Sequence, residues 1–349
     1  MSLRVIRCEG DGFTRGKQVG VGAADLIHRS LAFYRGYLER RGLPAEDLPG
    51  VLGPYRAAAA AACPDLLREV DGMVEGAGCS WWELFAVNAF EEIEPLLPGP
   101  LLPGPAGLER CSAFVAGSRL AHNEMWLAGD AGNVVVVMAR PEDSPAFASA
   151  SVACCLPVVG MNAAGLAFAV MSVTARDDCV GIPRVFVSRD VLEATDREDA
   201  VRRATPAHRS GGYAYQVAAR GADGFLVETT ATRHAVLDGR PAHANHYLAP
   251  ELAEMAEPPS VGSVARLERT EQLLASRPPR DEREAMAILS DHDNEPAAMC
   301  LHADPSEGDE ASAVVFSMVC DVASMRMWVS PGYPCTEPFE EIDLAEAFG

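Results

Sequence analysis

The chain has 349 residues, of which 48% are hydrophobic, and it carries a formal net charge of −21 at pH 7. This length and composition support a large buried core and exclude a disordered protein. The negative charge repels phosphate backbones and anionic bilayers, so we expect no nucleic-acid and no membrane partner. Without an apolar signal segment or a run of the ~18 apolar residues that a spanning helix needs, a cytoplasmic protein is expected.

Residues 1–94 are predicted to form a helical N-terminal segment. Apolar residues recur at helical spacing over residues 27–38 and 66–77, and a capping box at Ser80 predicts the start of a third helix. The glycines at 10–22 lack the spacing of a phosphate-binding motif, so we expect an ordinary loop before the first helix.

Residues 95–110 are predicted to be a linker within the same fold. Pro-Leu-Leu-Pro-Gly occurs twice in this stretch, and it suits neither a helix interior nor a central strand, because proline lacks an N–H and glycine is flexible. The linker separates the helical segment from residues 111–349, where we expect the catalytic portion.

From residue 111 onward, short apolar runs and period-two alternation predict strands. The predicted strands are 111–115, 134–138, 155–159, 166–173, 213–218, 225–229, 314–319 and 325–329. One predicted helix ends at residues 191–194, and three more cover 196–203, 263–275 and 281–289. The Gly-rich turn at 160–165 predicts an antiparallel hairpin. Strands and helices come in runs, which favours an α+β fold with antiparallel sheets covered by helices.

Cys111 stands where the predicted linker ends and a strand begins. A self-cleaving enzyme needs a cysteine at this place, because the thiol attacks the preceding carbonyl and the freed α-amine can then act as a base. The alternative interpretation is a buried core cysteine, which is the commoner role of this residue type.

Three polar clusters supply further candidates, at residues 121–126, 243–247 and 291–295, the last followed by Cys300 and His302. The first cluster contains Asn123 and Glu124 and can return beside Cys111 on a neighbouring strand. In the second, His243 is a candidate acid or base, and Asn245 can donate its amide to a developing oxyanion. The alternatives are turn residues and solvated loops.

A metal site is not expected from the sequence. The ten cysteines lie scattered without C-x-x-C spacing, and His243 and His246 lack the framework of an H-E-x-x-H or paired-cysteine zinc site. The prediction is therefore no metal and no cofactor.

Taken in order along the chain, eight short motifs resemble those of one family. They are Gly-Lys-Gln-Val-Gly at 16–20, Glu-Gly-Ala-Gly-Cys-Ser at 75–80, Cys-Ser-Ala-Phe at 111–114, His-Asn-Glu-Met-Trp at 122–126, Gly-Met-Asn-Ala-Ala-Gly-Leu at 160–166, His-Ala-Asn-His at 243–246, Asp-His at 291–292 and Gly-Tyr-Pro-Cys at 332–335. The chain resembles the peptidase C45 family of N-terminal-nucleophile hydrolases, the group of acyl-coenzyme A:6-aminopenicillanic acid acyltransferase.

The resemblance implies a four-layer αββα fold, cut between Arg110 and Cys111. It implies Cys111 as nucleophile and, through its α-amine, general base, with Asn245 as oxyanion donor and Asn123 and the cluster around it orienting the nucleophile. The expected reaction is hydrolysis or acyl transfer on a small acylated amine through a thioester, in specialised metabolism. The expected partners are that substrate and an acyl-thioester donor, and a homo-oligomer is compatible with the sequence.

Two positions depart from the family pattern. Met125 stands where the family has an acid that holds the amine, and methionine is no strong acceptor; Arg110 stands where a small residue usually precedes the cysteine. Glu124 or Asp130 is the candidate replacement carboxylate. These departures leave two alternatives open, an unprocessed member that catalyses elimination or cyclisation with Asp130, His243 or Glu124 as acid or base, and a non-catalytic binding subunit.

Overall fold

The computed structural model describes residues 3–97 and 111–344, which form two β-sheets between helical layers. The strands are β1 (Arg4–Gly10), β2 (Ser112–Ala116), β3 (Arg119–Leu127), β4 (Val134–Pro141), β5 (Phe147–Val152), β6 (Val159–Asn162), β7 (Leu166–Ser172), β8 (Tyr213–Ala219), β9 (Phe225–Thr229), β10 (His234–Asp238), β11 (Ala242–His243), β12 (Ser312–Asp321), β13 (Arg326–Ser330) and β14 (Glu340–Ile342). The helices are α1 (Gly12–Gly22), α2 (Ala24–Arg40), α3 (Leu48–Ala62), α4 (Pro64–Ala77), α5 (Trp81–Asn88), α6 (Phe90–Ile93), α7 (Arg184–Val191), α8 (Arg197–Ala204), α9 (Val261–Ser276) and α10 (Glu282–Leu289). None of the helices in these two ranges is long and apolar enough to cross a bilayer.

The two sheets differ in size and share an antiparallel design. The larger has eight strands in the order β1-β4-β5-β6-β7-β8-β9-β10, and the smaller has six in the order β11-β2-β3-β12-β13-β14. The pairing of β1 with β4 is parallel, and the other pairings are antiparallel. The smaller sheet has β3 and the long strand β12 at its centre, with β2 on the other side of β3.

The layers follow from which elements touch. Strands β2 and β3 face β7 and β8 of the other sheet, α1 packs on β1 and β4, and α9 and α10 pack on β2, β3 and β12. One continuous core of buried apolar side chains joins the N-terminal helices to the strands. The predicted α+β class and the αββα layering are confirmed.

The N-terminal segment departs most from expectation. Residues 4–10 form a strand that extends the larger sheet, and the glycine-rich stretch forms the helix α1 rather than a loop. Its glycines are needed for close approach to α4, because a Cβ at Gly16 would lie 1.8 Å from the backbone oxygen of Glu69 and one at Gly72 would lie 2.1 Å from that of Phe13. These glycines allow two helices to pack closely, which the prediction of a loop missed. The alanine-rich helix α3 was also not predicted.

Several boundaries also differ from the prediction. The segment from Cys155 is a turn, so its strand begins only at Val159, and β5 was missed. Ser80 precedes α5 without a side-chain cap bond, and the N-cap of α8 is Asp196, whose side chain accepts from the backbone N–H of Asp199. The helices at 27–38, 66–77, 263–275 and 281–289 and the hairpin around 160–165 are confirmed. Of the predicted linker, only residues 95–97 are described, so the cleavage position at Arg110 lies outside the described residues.

Candidate active site

Cys111 lies at the head of β2, next to the middle of β3. The antiparallel register pairs Ser112 with Asn123, so the residue before Ser112 comes beside Glu124. The Cys111 thiol donates a hydrogen bond to Oε1 of Glu124 over 3.3 Å. The pairing that the sequence predicted between the cysteine and the 121–126 cluster is thus present, through Glu124.

His122 adds a third member to this group. It lies two residues before Glu124 and therefore on the same face of β3, and its Nε2 is 2.9 Å from Oε2 of Glu124. Since that carboxylate oxygen accepts, Nε2 carries the proton. The sequence pointed to this residue only as part of its cluster, although strand alternation with Glu124 could have singled it out.

The thiol is held in its neutral form. Cys111 is 5% exposed, burial raises the pKa of its thiol well above the ordinary value, and the negative charge of Glu124 raises that pKa further. A buried neutral thiol is a weak nucleophile and must lose its proton to a nearby base. Glu124 is the carboxylate within reach of that proton.

A narrow cavity of about 80 Å³ opens beside the thiol, between the two sheets. Its walls are mostly apolar: Val87, Trp126, Val152, Leu156, Val158, Val159, Val170, Val185 and Phe316. A second carboxylate, Glu91, also lines it and accepts a hydrogen bond of 2.6 Å from the Ser172 hydroxyl. No sequence signal pointed to Glu91.

Asn245 lies beyond Ser172. Its Nδ2 donates to the backbone oxygen of Ser172 at 2.9 Å, and its Oδ1 accepts from Arg266 at 2.9 Å. These two contacts fix which side of the amide carries the N–H₂ group. The structure therefore places the amide donor next to a residue of the cavity wall, bonded to Ser172 rather than pointing directly at Cys111.

Arg266 of α9 connects the two predicted halves of the site. This residue is 1% exposed, and its guanidinium donates both to Asn245 and, over 3.0 Å, to the hydroxyl of Ser112, the residue after the candidate nucleophile. A buried arginine with two fixed acceptors holds both in place. Nothing in the sequence distinguished Arg266 from Arg269, the other arginine of its helix.

Asn123 does not point at Cys111. Its Nδ2 donates to the backbone oxygens of Leu289 and Met299, and its Oδ1 accepts from Ser317. These partners lie on the outer face of the smaller sheet, opposite the cavity. The expectation that the Asn123 side chain itself contacts the nucleophile is therefore not met, and its contacts are those of an anchor for β3.

Met125 shares the outer face with Asn123. Its side chain is buried against Leu301, Val314 and Tyr333, whereas Glu124 and Trp126 line the cavity. An acid at position 125 would point away from Cys111, and the carboxylate beside the thiol is supplied by Glu124.

Asp130, the other candidate carboxylate, is held elsewhere. It is buried with Ser30 and Tyr34 as hydrogen-bond donors. Burial raises the pKa of its carboxyl, although those hydrogen bonds oppose the shift. Its side chain thus anchors α2 and does not line the cavity beside Cys111.

His243 belongs to a separate buried pair. Its Nε2 is 2.9 Å from Oε1 of Glu228, and Glu228 also accepts from the backbone N–H groups of Leu248 and Ala249. The pair joins β11 of the smaller sheet to β9 of the larger. The structure thus places His243 in a contact between sheets and outside the Cys111 group.

Two groups of side chains in the described ranges have the donors and spacing of a metal site. One is Cys111, His122 and Glu124; the other is His292, Cys300, His302 and Cys335, on the far side of β3. In the first, Glu124 is hydrogen-bonded to both Cys111 and His122, and Cys111 and Glu124 line the cavity. The second has four donors, and none of them lines the cavity.

Two largely antiparallel sheets between helical layers, with a cysteine heading an inner strand and facing a cavity, are the arrangement of the N-terminal-nucleophile amide hydrolases and acyltransferases. The family model described as acyl-coenzyme A:6-aminopenicillanic acid acyl-transferase matches residues 116–334. Because this match covers more than half of the sequence, the chain belongs to that family. The match includes His122, Glu124 and Asn245 and begins five residues after Cys111.

Solved structures give a more distant likeness. A mutant of conjugated bile acid hydrolase from Clostridium perfringens is 10% identical with a TM-score of 0.47, over 69% of this chain and 94% of that one. Penicillin V acylase from Agrobacterium tumefaciens is 17% identical with a TM-score of 0.46, over 68% of this chain and 87% of that one. A search of curated proteins finds no match.

Proposed function

We propose that the protein is a cysteine-nucleophile amide hydrolase or N-acyltransferase that forms a thioester at Cys111. One observation carries the proposal: the Cys111 thiol faces an apolar cavity and donates a hydrogen bond to Glu124. A nucleophile, a proton acceptor and a space for an acyl group therefore meet at one point.

The reaction begins with the loss of the thiol proton. In the full-length chain Glu124 is the acceptor, and His122 holds its other oxygen. In a chain cut before Cys111, the freed α-amine takes over as base, since an α-amine titrates near 7.7–8.0. The first arrangement suits self-cleavage, and the second suits turnover of external substrates.

The sulfur then attacks the carbonyl carbon of the substrate amide. The C–S bond forms, the carbonyl electrons move onto oxygen, and Asn245 donates to that oxyanion through the second N–H of Nδ2, the first being bonded to Ser172. Collapse breaks the C–N bond, and the amine leaves with the proton that the base had taken. Water or a second amine attacks the thioester and returns the thiol.

The cavity suggests what the substrate looks like. Its apolar walls suit a small aliphatic or aromatic acyl group, and Glu91 and Glu124 at its polar parts favour a neutral or cationic amine over an anionic one. The family is described by acyl transfer between coenzyme A and 6-aminopenicillanic acid, so we infer an acyl-thioester donor as a second substrate and a role in specialised metabolism.

The test is a panel of N-acyl amines of graded acyl length, assayed with and without hydroxylamine as acceptor. We expect release of the amine and formation of the hydroxamate, and Cys111→Ala should lower kcat/KM by roughly 10⁴-fold or more. Cys179→Ser, which changes an exposed cysteine outside the cavity lining, is the matched control. Activity that survives Cys111→Ala would overturn the thioester and favour the elimination or cyclisation alternative.

A further inference from the structure

Four side chains from three segments meet behind β3. His292 follows α10, Cys300 and His302 precede β12, and Cys335 follows β13. The two Nε2 atoms are 3.2 Å apart, the two sulfurs are 3.6 Å apart, and Nε2 of His302 is 3.6 Å from Cys300 and 3.2 Å from Cys335. All four donor atoms lie within 4.8 Å of one another.

These separations match the edges of a tetrahedron around zinc. With Zn–S near 2.3 Å and Zn–N near 2.05 Å, tetrahedral angles require S···S, S···N and N···N separations of about 3.8, 3.6 and 3.3 Å. The observed sulfur–sulfur and nitrogen–nitrogen distances of 3.6 and 3.2 Å and the 3.6 Å from Nε2 of His302 to Cys300 lie within about 0.2 Å of those values, and the 3.2 Å from the same nitrogen to Cys335 is about 0.4 Å shorter. The four donors are thus spaced as ligands of one small ion.

A disulfide or simple hydrogen bonding accounts for these four side chains less well. A disulfide needs sulfurs ~2.05 Å apart, and Cys300 and Cys335 are free cysteines. Hydrogen bonding alone leaves four groups converging on one centre with no acceptor stronger than a thiol or a neutral ring nitrogen. Two thiolates and two imidazoles are the ligand types of a tetrahedral zinc site, whereas calcium and magnesium select oxygen donors.

We propose that His292, Cys300, His302 and Cys335 form a structural zinc site. Four protein ligands leave no open position for substrate, which is the arrangement of a structural rather than a catalytic site. On binding, both thiols lose their protons to solvent and the histidines bind as neutral rings, so the charge of Zn²⁺ is balanced by two thiolates.

The surroundings hold the ligands in place. The ring of His302 stacks on Tyr333 with centroids 4.0 Å apart and planes 7° apart, and the Tyr333 hydroxyl accepts from the backbone N–H of Ala303 at 3.1 Å. The backbone N–H of Cys300 donates to the carbonyl of Asp291 at 3.0 Å. Such contacts around ligating residues orient them for the metal.

The site also supports the catalytic strand from behind. Asn123 donates to the carbonyl of Met299, one residue before Cys300, and Met125 packs against Leu301 and Tyr333. Zinc therefore ties together the three segments that cover the outer face of β3, opposite Glu124. This inference does not rest on the proposed reaction.

The decisive experiment is metal analysis of the full-length protein purified under reducing conditions without chelator. We expect about one zinc per chain, lost on treatment with a strong chelator and lowering Tm as it leaves. Replacement by Co²⁺ in the wild-type protein should give the intense d–d bands of a tetrahedral site together with thiolate-to-metal charge transfer. This readout needs no variant that has to fold.

Variants then assign the metal to these ligands. Cys300→Ser and Cys335→Ser should each reduce bound zinc from about one equivalent to near zero, while Cys179→Ser and Cys111→Ala should retain it. Wild-type protein that binds neither Zn²⁺ nor Co²⁺ would overturn the proposal. A Cys300–Cys335 disulfide, seen as a mass two hydrogens below that of the reduced chain, would also overturn it. Loss of zinc in Cys111→Ala alone would be a third contradicting result.

Discussion

The two faces of β3 carry polar residues of opposite character. On the inner face, Glu124 bonds both the Cys111 thiol at the edge of a cavity and His122, and Nδ1 of His122 is buried without a hydrogen-bond partner among the described residues. On the outer face, the Asn123 side chain is fully engaged with two carbonyls and a hydroxyl.

This contrast separates residues that can take part in the reaction from a residue that positions the strand, within three consecutive residues. Groups with spare hydrogen-bonding capacity beside an open space can act on a substrate, whereas groups whose capacity is used up fix the backbone. Alternation along the strand places the two kinds of residue on opposite faces. The inner face should therefore control rate, and the outer face should control stability.

The sharpest test of the inner face is Glu124→Gln, which keeps the size of the side chain and removes the proton acceptor proposed for self-cleavage. We expect the rate of cleavage before Cys111 to fall by about 10²–10⁴-fold. Alkylation of Cys111 should instead begin at lower pH in the variant. The wild-type thiol stays protonated through neutral pH because its pKa is raised, and losing the carboxylate charge lowers that pKa. Iodoacetamide labelling at a series of pH values, followed by peptide mapping, measures the alkylation of Cys111.

Glu91→Gln is the matched control for this experiment, since Glu91 lines the same cavity and contributes less than Glu124 to the raised pKa of Cys111. It should shift the alkylation profile less than Glu124→Gln does. An unchanged or upward-moving profile in Glu124→Gln would contradict the inner-face assignment.

Asn245→Asp tests the oxyanion donor. Aspartate keeps an oxygen for Arg266 but loses the N–H₂ group, so kcat should fall by roughly 10²–10³-fold with little change in KM. Steady-state kinetics on the best substrate of the panel measure kcat and KM separately. A loss confined to KM would show that Asn245 contributes to substrate binding and not to the transition state.

Asn123→Ala tests the outer face. It leaves the buried carbonyls of Leu289 and Met299 without their donor, which should lower the free energy of unfolding by about 3 kcal/mol, measured by urea denaturation. Ser317→Ala removes only the hydroxyl that donates to Asn123 and should cost about 1 kcal/mol. Equal losses in the two variants would show that the Asn123 donors contribute little.

The smallest effect on rate is expected from His243→Gln. Glutamine can still donate to Glu228 across the two sheets, so turnover and its pH profile should stay close to wild type. If the pH–rate profile of the variant lost its acidic or its basic limb, His243 would be an acid or base in the reaction, as the sequence predicted.

Much of the architecture could be predicted from local patterns. Regular apolar spacing gave α2, α4, α9 and α10, and a turn signal gave the β6–β7 hairpin. The helix α1 was missed because its glycines take their meaning from α4, which lies far along the chain. Strand β1 was missed because a parallel edge strand has no turn or hairpin signal of its own.

The site shows the same limit. Cys111 and Glu124 could be named because their separation along the chain fits two adjacent strands. Arg266 and Glu91 reach the site from helices far away in sequence, and the four donors around His302 come from three separate segments. Tertiary packing alone brings such residues together, so no local pattern marks them.

Denaturing intact-mass analysis tests the central claim, that Cys111 is an N-terminal nucleophile, most directly. The wild-type protein should give two chains divided between Arg110 and Cys111, and Cys111→Ala should give one chain of full length. A wild-type protein that remains whole would contradict that claim.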